Sequence, residues 1–107
     1  MGRPRLCRRI AFAPDVVYFK PAGTPLKELE ESVISFEEYE AIRLKDLEGL
    51  EQEEAAAKMD ISQPTFHRLI LAARKKIADA VVNGKVLRIE GGTYRITGRR
   101  RMRRRGL

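Results

Sequence analysis

QEEAAAKMDISQPTFHRLI, residues 52–70, reads as a short helix, a tight turn and the start of a second helix. Ala55, Ala56 and Met59 fall on one face of the first helix, at the three- and four-residue spacing of a buried stripe. Met59-Asp60-Ile61-Ser62 supplies the turn, with Ile61 placed to anchor it from below. Ser62 is a good N-cap. Pro64 is tolerated one residue inside the next helix, because its missing N–H would have no intrahelical partner there. Phe66, Leu69 and Ile70 then face back onto the first helix, and the two alanines let the steeply crossing helices approach closely. The pattern predicts a helix-turn-helix that presents its second helix to DNA.

Working outward toward the N-terminus, Ser35 and Glu38 form a capping-box pattern at the head of another helix. That helix is expected to place Phe36, Tyr39, Ile42 and Leu47 on one face with Leu44 at its border, and to close at Gly49. Before it, Leu26–Glu31 suggests a brief helical turn, Pro21–Pro25 a loop and Val16–Phe19 a short strand. Residues 1–15 read as a basic arm interrupted by Pro4 and Pro14.

Toward the C-terminus, the helix starting at Ser62 is expected to run to about Val82. Its buried stripe would be Phe66, Leu69, Ile70, Ala73, Ile77, Ala80 and Val81, with Asn83-Gly84 as the stop. Lys85–Ile89 and Thr93–Thr97 alternate around Gly91-Gly92, which suggests a β-hairpin. The closing GRRRMRRRGL cannot bury anything and is expected to be disordered when unbound. Four segments result: an arm with strand and loop over 1–34, a helical domain over 35–84, the hairpin over 85–97, and the arginine tail over 98–107. The fold class is mainly α, a helix-turn-helix three-helix core with a small β element made of the N-terminal strand and the C-terminal hairpin.

The 107 residues hold one compact domain plus tails, and a net charge of +7 calls for an anionic partner. Charge is sorted along the chain: +5 over residues 1–27, −9 over 28–60 and +11 over 61–107. Acidic helices laid on DNA would be repelled by phosphate, so the helix from Ser62 and both tails are expected to face nucleic acid. One cysteine, Cys7, cannot close an internal disulfide, which fits a reducing cytoplasm. No long apolar run suggests a membrane partner. One His, one Cys, no phosphate-cradling glycine loop and no metal-ligand spacing argue against an enzyme, a cofactor or a metal.

Base reading falls to the first turns of the second helix, where Gln63, Pro64, Thr65, His67 and Arg68 stand. Gln suits adenine, Arg suits guanine, and Thr or His suit bases or phosphates. Arg74, Lys75 and Lys76 lie two turns on, where phosphate contact is expected. Arg3 and Arg5 belong to Gly2-Arg3-Pro4-Arg5, which resembles the core of a minor-groove hook, or serves as a nonspecific phosphate-binding arm. The cluster Arg99–Arg105 could play the same electrostatic role, or suit RNA.

Taken together, these motifs resemble a family of uncharacterised prokaryotic predicted DNA-binding proteins, domain of unknown function 134. The resemblance is carried by Gly2–Arg5, Phe19–Gly23, Glu40–Leu44, Asp46–Gly49, Gln52–Ala56, Ser62–Phe66, Ala73–Lys76 and the run from Gly84 to Gly92. The family's helix-turn-helix is similar to sigma factor region four, which implies that Ser62–Leu69 lies in a major groove. Two departures stand out: Asp60 replaces the usual turn glycine, and Glu51 replaces a serine that would form a second capping box with Glu54. The first reading is therefore a sequence-preferring binder of double-stranded DNA, a transcriptional regulator. The alternatives are an RNA- or ribosome-associated basic protein, for which no aromatic stacking platform is evident, and an adaptor that binds RNA polymerase through its acidic helices. A homodimer is left open, since the edges at Val16–Phe19 and Lys85–Thr97 could pair within one chain or between two.

Overall fold

The computed structural model describes residues 8–11, 17–92 and 94–96. In chain order the elements are β1 (Arg8–Ile10), β2 (Tyr18–Phe19), a 3-10 turn (Leu26–Glu28), β3 (Glu31–Ile34) and α1 (Phe36–Ile42). A wide π turn (Arg43–Leu47) follows, then α2 (Gln52–Met59), α3 (Gln63–Asn83), β4 (Val86–Ile89) and β5 (Tyr94–Ile96). The chain is mainly helical, three helices with a small β element, as its pattern suggests. No helix among the described residues is long and apolar enough to cross a membrane. Arg3, Arg5, the minor-groove hook and the arginine tail lie outside the described residues.

Local chemistry explains the helix ends. Ser35 accepts from the Glu38 N–H at 3.1 Å while the Glu38 carboxylate accepts from the Ser35 N–H at 2.9 Å, a complete capping box. At the end of α2, Asp60 adopts the left-handed conformation (φ 61°, ψ 44°), the one non-glycine residue with positive φ among the described residues. Its N–H and that of Ile61 return to the last carbonyls of α2, closing the helix before the chain turns into α3. Ser62 then caps α3, its Oγ accepting from the Thr65 N–H at 3.2 Å. Gly84 ends α3 in the left-handed region, which glycine adopts without a Cβ penalty.

The helices enclose Phe66, Met59, Ile70 and Leu44 together with Ala41, Ala55 and Ala56, all buried. Ile61, Leu50, Ile42 and Leu69 pack at the margin. On the other side of α3 lies a three-stranded sheet in the order β2-β4-β3, with β4 antiparallel to β2 and parallel to β3.

Four expectations need correction. The hairpin over Lys85–Thr97 does not form: β4 already has a strand on each side, so no edge is open to β5. Instead Gly91 and Gly92, both at positive φ, carry the chain past the head of α1, where the Phe36 N–H donates to Gly91 O. A Cβ on Gly92 would overlap the Glu37 carboxylate. β5 then pairs in parallel with β1, so part of the expected basic arm is a folded strand, with Ile10 in the core. The stripe of α1 is turned: Ala41, Leu44 and three glutamates face in, while Leu47, on the π turn, is 78% exposed. Val81, expected in the stripe of α3, is 76% exposed. The sequence pattern carries no signature of β3, because its inward residues are Ser32 and Ile34 and its valine points out. Ser32 goes inside because its hydroxyl donates to the Lys76 carbonyl at 2.9 Å.

Candidate nucleic-acid interface

The N-terminal half of α3 is anchored on one side by Phe66, Ile70 and Ala73 and exposed on the other. Its first turn carries Gln63 and Pro64 outward and contains no acid. The N–H groups at this end present partial positive charge, which favours an anion. One turn on, His67 and Arg68 are exposed, followed by Leu71 and Lys75 along the same face. The Arg68 guanidinium donates to Thr65 Oγ1 at 3.3 Å, a long contact at the edge of hydrogen-bond range. Thr65 is half-buried and its hydroxyl also accepts from Ser62 Oγ at 2.9 Å, so it completes the cap and steadies Arg68. Among the described residues Lys75 makes no ion pair, and it stands one turn before Asp79, whose carboxyl is held low chiefly by hydrogen bonds from Lys85 and Asn83, with a small contribution from the charge of Lys75.

Two cations expected at phosphate are committed elsewhere. Arg74 donates twice to Asp46 on the π turn, from Nε at 3.1 Å and from Nη2 at 2.6 Å. This fork braces α3 against the π turn that follows α1. Lys76 grips both oxygens of Glu38 at 3.0 Å, joining the middle of α3 to the capping box of α1. The acids of α1 are thus neither on the interface nor simply solvated. Glu38 serves the cap and Lys76, while Glu40 takes Arg43 and the Ala11 N–H. Glu53 and Glu54 are exposed on the first turn of α2, roughly 8–9 Å along the helix from its end at Met59.

Arg9, counted with the arm from sequence, is a structural residue. Its Nη2 donates to Ala57 O at 3.0 Å, satisfying a carbonyl of the last turn of α2, and lies 3.9 Å from the Asp60 carboxylate. No periodicity in so short a strand could have pointed to that partner.

The Arg74 fork holds the Asp46 carboxyl below its ordinary value, chiefly by hydrogen bonding and then by charge, and Asp46 in turn raises Arg74. Because the folded value is the lower, the stabilisation is fully present above the unfolded value near pH 4 and is lost as pH falls through the folded one. Thermal melts between about pH 5 and pH 2 should therefore show Asp46→Asn less acid-sensitive than the parent chain. Identical slopes in the two proteins would mean that the fork does not form in solution.

A family model described as protein of unknown function DUF134 matches residues 1–97. A UPF0251 protein of Moorella thermoacetica is 61% identical over 98 residues, covering 92% of this chain and 66% of its own. Another, of Caldanaerobacter subterraneus subsp. tengcongensis, is 59% identical over 98 residues, covering 92% and 83%. A third, of Desulforudis audaxviator, is 56% identical over 100 residues, covering 94% and 65%. The chain thus spans about two thirds of the first and third of these relatives. No solved structure matches the chain.

Proposed function

The chain belongs to the DUF134 family, and from that premise we propose that it binds double-stranded DNA with a sequence preference, as a transcriptional regulator. The observation that carries this reading is the exposed face of α3 from Gln63 to Lys75. It is basic, and no acidic residue occurs between Ser62 and Ala78. In this reading α2, the turn at Asp60 and α3 act as a helix-turn-helix, with α3 entering a major groove. Gln63 and Arg68 read base edges, His67 a base or a phosphate, and Lys75 a phosphate. Pro64 shapes the first turn, and Thr65 acts through the cap. Arg3 and Arg5 supply a basic arm along the backbone or minor groove. Arg74 joins only if its fork to Asp46 opens.

Selection of bound fragments from random duplex DNA, followed by titration at several salt concentrations, tests this directly. Affinity should fall linearly with log salt as phosphate counterions are released. Arg68→Ala should weaken the selected sequence by about 1–3 kcal/mol, roughly 5- to 150-fold, while leaving random duplex nearly unchanged. Equal affinity for selected and random duplexes, untouched by Arg68→Ala, would refute base reading. Tighter binding to single-stranded RNA, or to RNA polymerase without DNA, would favour the alternatives instead.

A further inference from the structure

At the far end of α3 from Gln63 the surface changes character. The last turns put Ala78, Val81 and Val82 outward, with Val81 76% and Val82 78% exposed. Exposed valines are poor helix formers, so helix propensity does not account for them. Phe19 of β2 is 56% exposed beside them. Between Phe19, Pro21, Ala80, Val81, Gly84 and Leu87 runs an open, mainly apolar groove of about 600 Å³. In a chain that is 35% charged, this is an unusual concentration of exposed carbon.

The charges around the groove are balanced and occupied. Lys85 pairs with Asp79 at 2.9 Å and lies 3.8 Å from Glu30. Arg88 pairs with Glu31 at 2.6 Å and sits 5.5 Å over the Tyr18 ring. Lys20 donates to the carbonyls of Pro21 and Thr24. Tyr18 and Phe19 are adjacent exposed aromatics, but the cations beside them are already satisfied, which disfavours stacking of a phosphate-bearing strand here. The bases and acids named here are equal in number, so a second copy of the same chain meets no net charge at this end, although the molecule carries +7 overall.

We propose that this face pairs with the same face of a second copy about a two-fold axis. Val17, Phe19, Val81 and Val82 expose on the order of 400 Å² together, so a pair would bury roughly 800 Å² of apolar surface before the polar rim of the groove is counted, the scale of the smaller specific interfaces. β2 is at the edge of its sheet, and two such edges can meet antiparallel across the axis. One consequence rests on the DNA reading above: Arg68 and Val81 are about 20 Å apart along α3. Two reading ends then stand up to about 40 Å apart, which accommodates the repeat of roughly 34–36 Å between successive major grooves.

Sedimentation equilibrium of the full chain without DNA, from about 1 to about 500 µM, tests the pairing apart from any DNA binding. The mass should rise from 12.2 kDa to twice that value. Val81→Glu should raise the dissociation constant at least tenfold with an unchanged circular dichroism spectrum, and so should Phe19→Ser, on a different element. Leu47→Glu, on the π turn, should associate like the parent chain. A monomer across the whole range, or a dimer indifferent to both Val81→Glu and Phe19→Ser, overturns the proposal.

Discussion

Phe66→Ala should destabilise the fold by about 4–5 kcal/mol, near the top of the range for removing a buried aromatic ring. Phe66 is fully buried, and it is the largest side chain where α1, α2 and α3 meet. Its neighbours include Ala41, Ala55 and Ala56, which have no side-chain length with which to fill a void. Met59 is the most flexible of the neighbours, and it is itself completely enclosed. The cavity therefore persists, and its cost adds to the lost transfer energy. Against a total stability of roughly 5–15 kcal/mol, this is enough to leave the chain marginal at ordinary temperature. Urea denaturation should show the midpoint falling with little change in slope. Phe66→Leu, which keeps most of the volume, should cost about 1–2 kcal/mol. A loss below about 1.5 kcal/mol in the alanine variant would mean that the helices close over the gap, and that the angle between α2 and α3 is not fixed by this ring.

That junction is also where sequence and structure agree best. The caps at Ser35 and Ser62, the alanine and methionine stripe of α2, the turn at Asp60 and the stop at Gly84 all depend on interactions within a few residues. Local rules suffice for such features. They fail where partners are remote. The aromatic and aliphatic residues of α1 suggest one buried stripe, yet Glu37, Glu38 and Glu40 lie inside, because Lys76, Arg43 and the Ala11 N–H are there to receive two of them. Gly91-Gly92 suggests a hairpin only while the neighbours of β4 are unknown. Ser32 facing in and Val33 facing out reverse the usual alternation, and a carbonyl on α3 is the cause.

The candidate interface divides along the same line. Gln63, Pro64, His67, Arg68 and Lys75 are exposed on α3, where helical spacing places them. Arg74 and Lys76 have the right spacing and charge for phosphate, but Asp46 and Glu38, 28 and 38 residues away, claim them. A count of basic residues cannot tell a cation that holds helices together from one that awaits a ligand. Arg9 shows the same ambiguity from the other side. It stands in a run that resembles an arm, and it closes α2 instead.

Glu40→Ala should cost about 3 kcal/mol, because one buried carboxylate joins three parts of the chain. Its side chain is 3% exposed and accepts from Arg43 Nε at 2.9 Å and Nη2 at 2.8 Å. It also accepts from the Ala11 N–H at 3.1 Å, just past the end of β1. Truncation leaves a mostly buried guanidinium and an orphaned amide, and removing one partner of such a pair is dearer than removing both. Arg43 keeps Glu48, 3.0 Å away, which puts the loss at the lower end of the usual 3–5 kcal/mol range. Melting should fall by roughly 10 °C or more. A double variant, Glu40→Leu with Arg43→Met, should be more stable than the sum of its singles predicts, since neither charge is then left alone. Hydrogen exchange separates the two roles of the carboxylate: Glu40→Gln keeps one acceptor and should protect the Ala11 amide better than alanine does. Equal protection in the two variants would show that the strand carrying Arg9 is held to α1 by its packing, through Ile10, and not by this hydrogen bond.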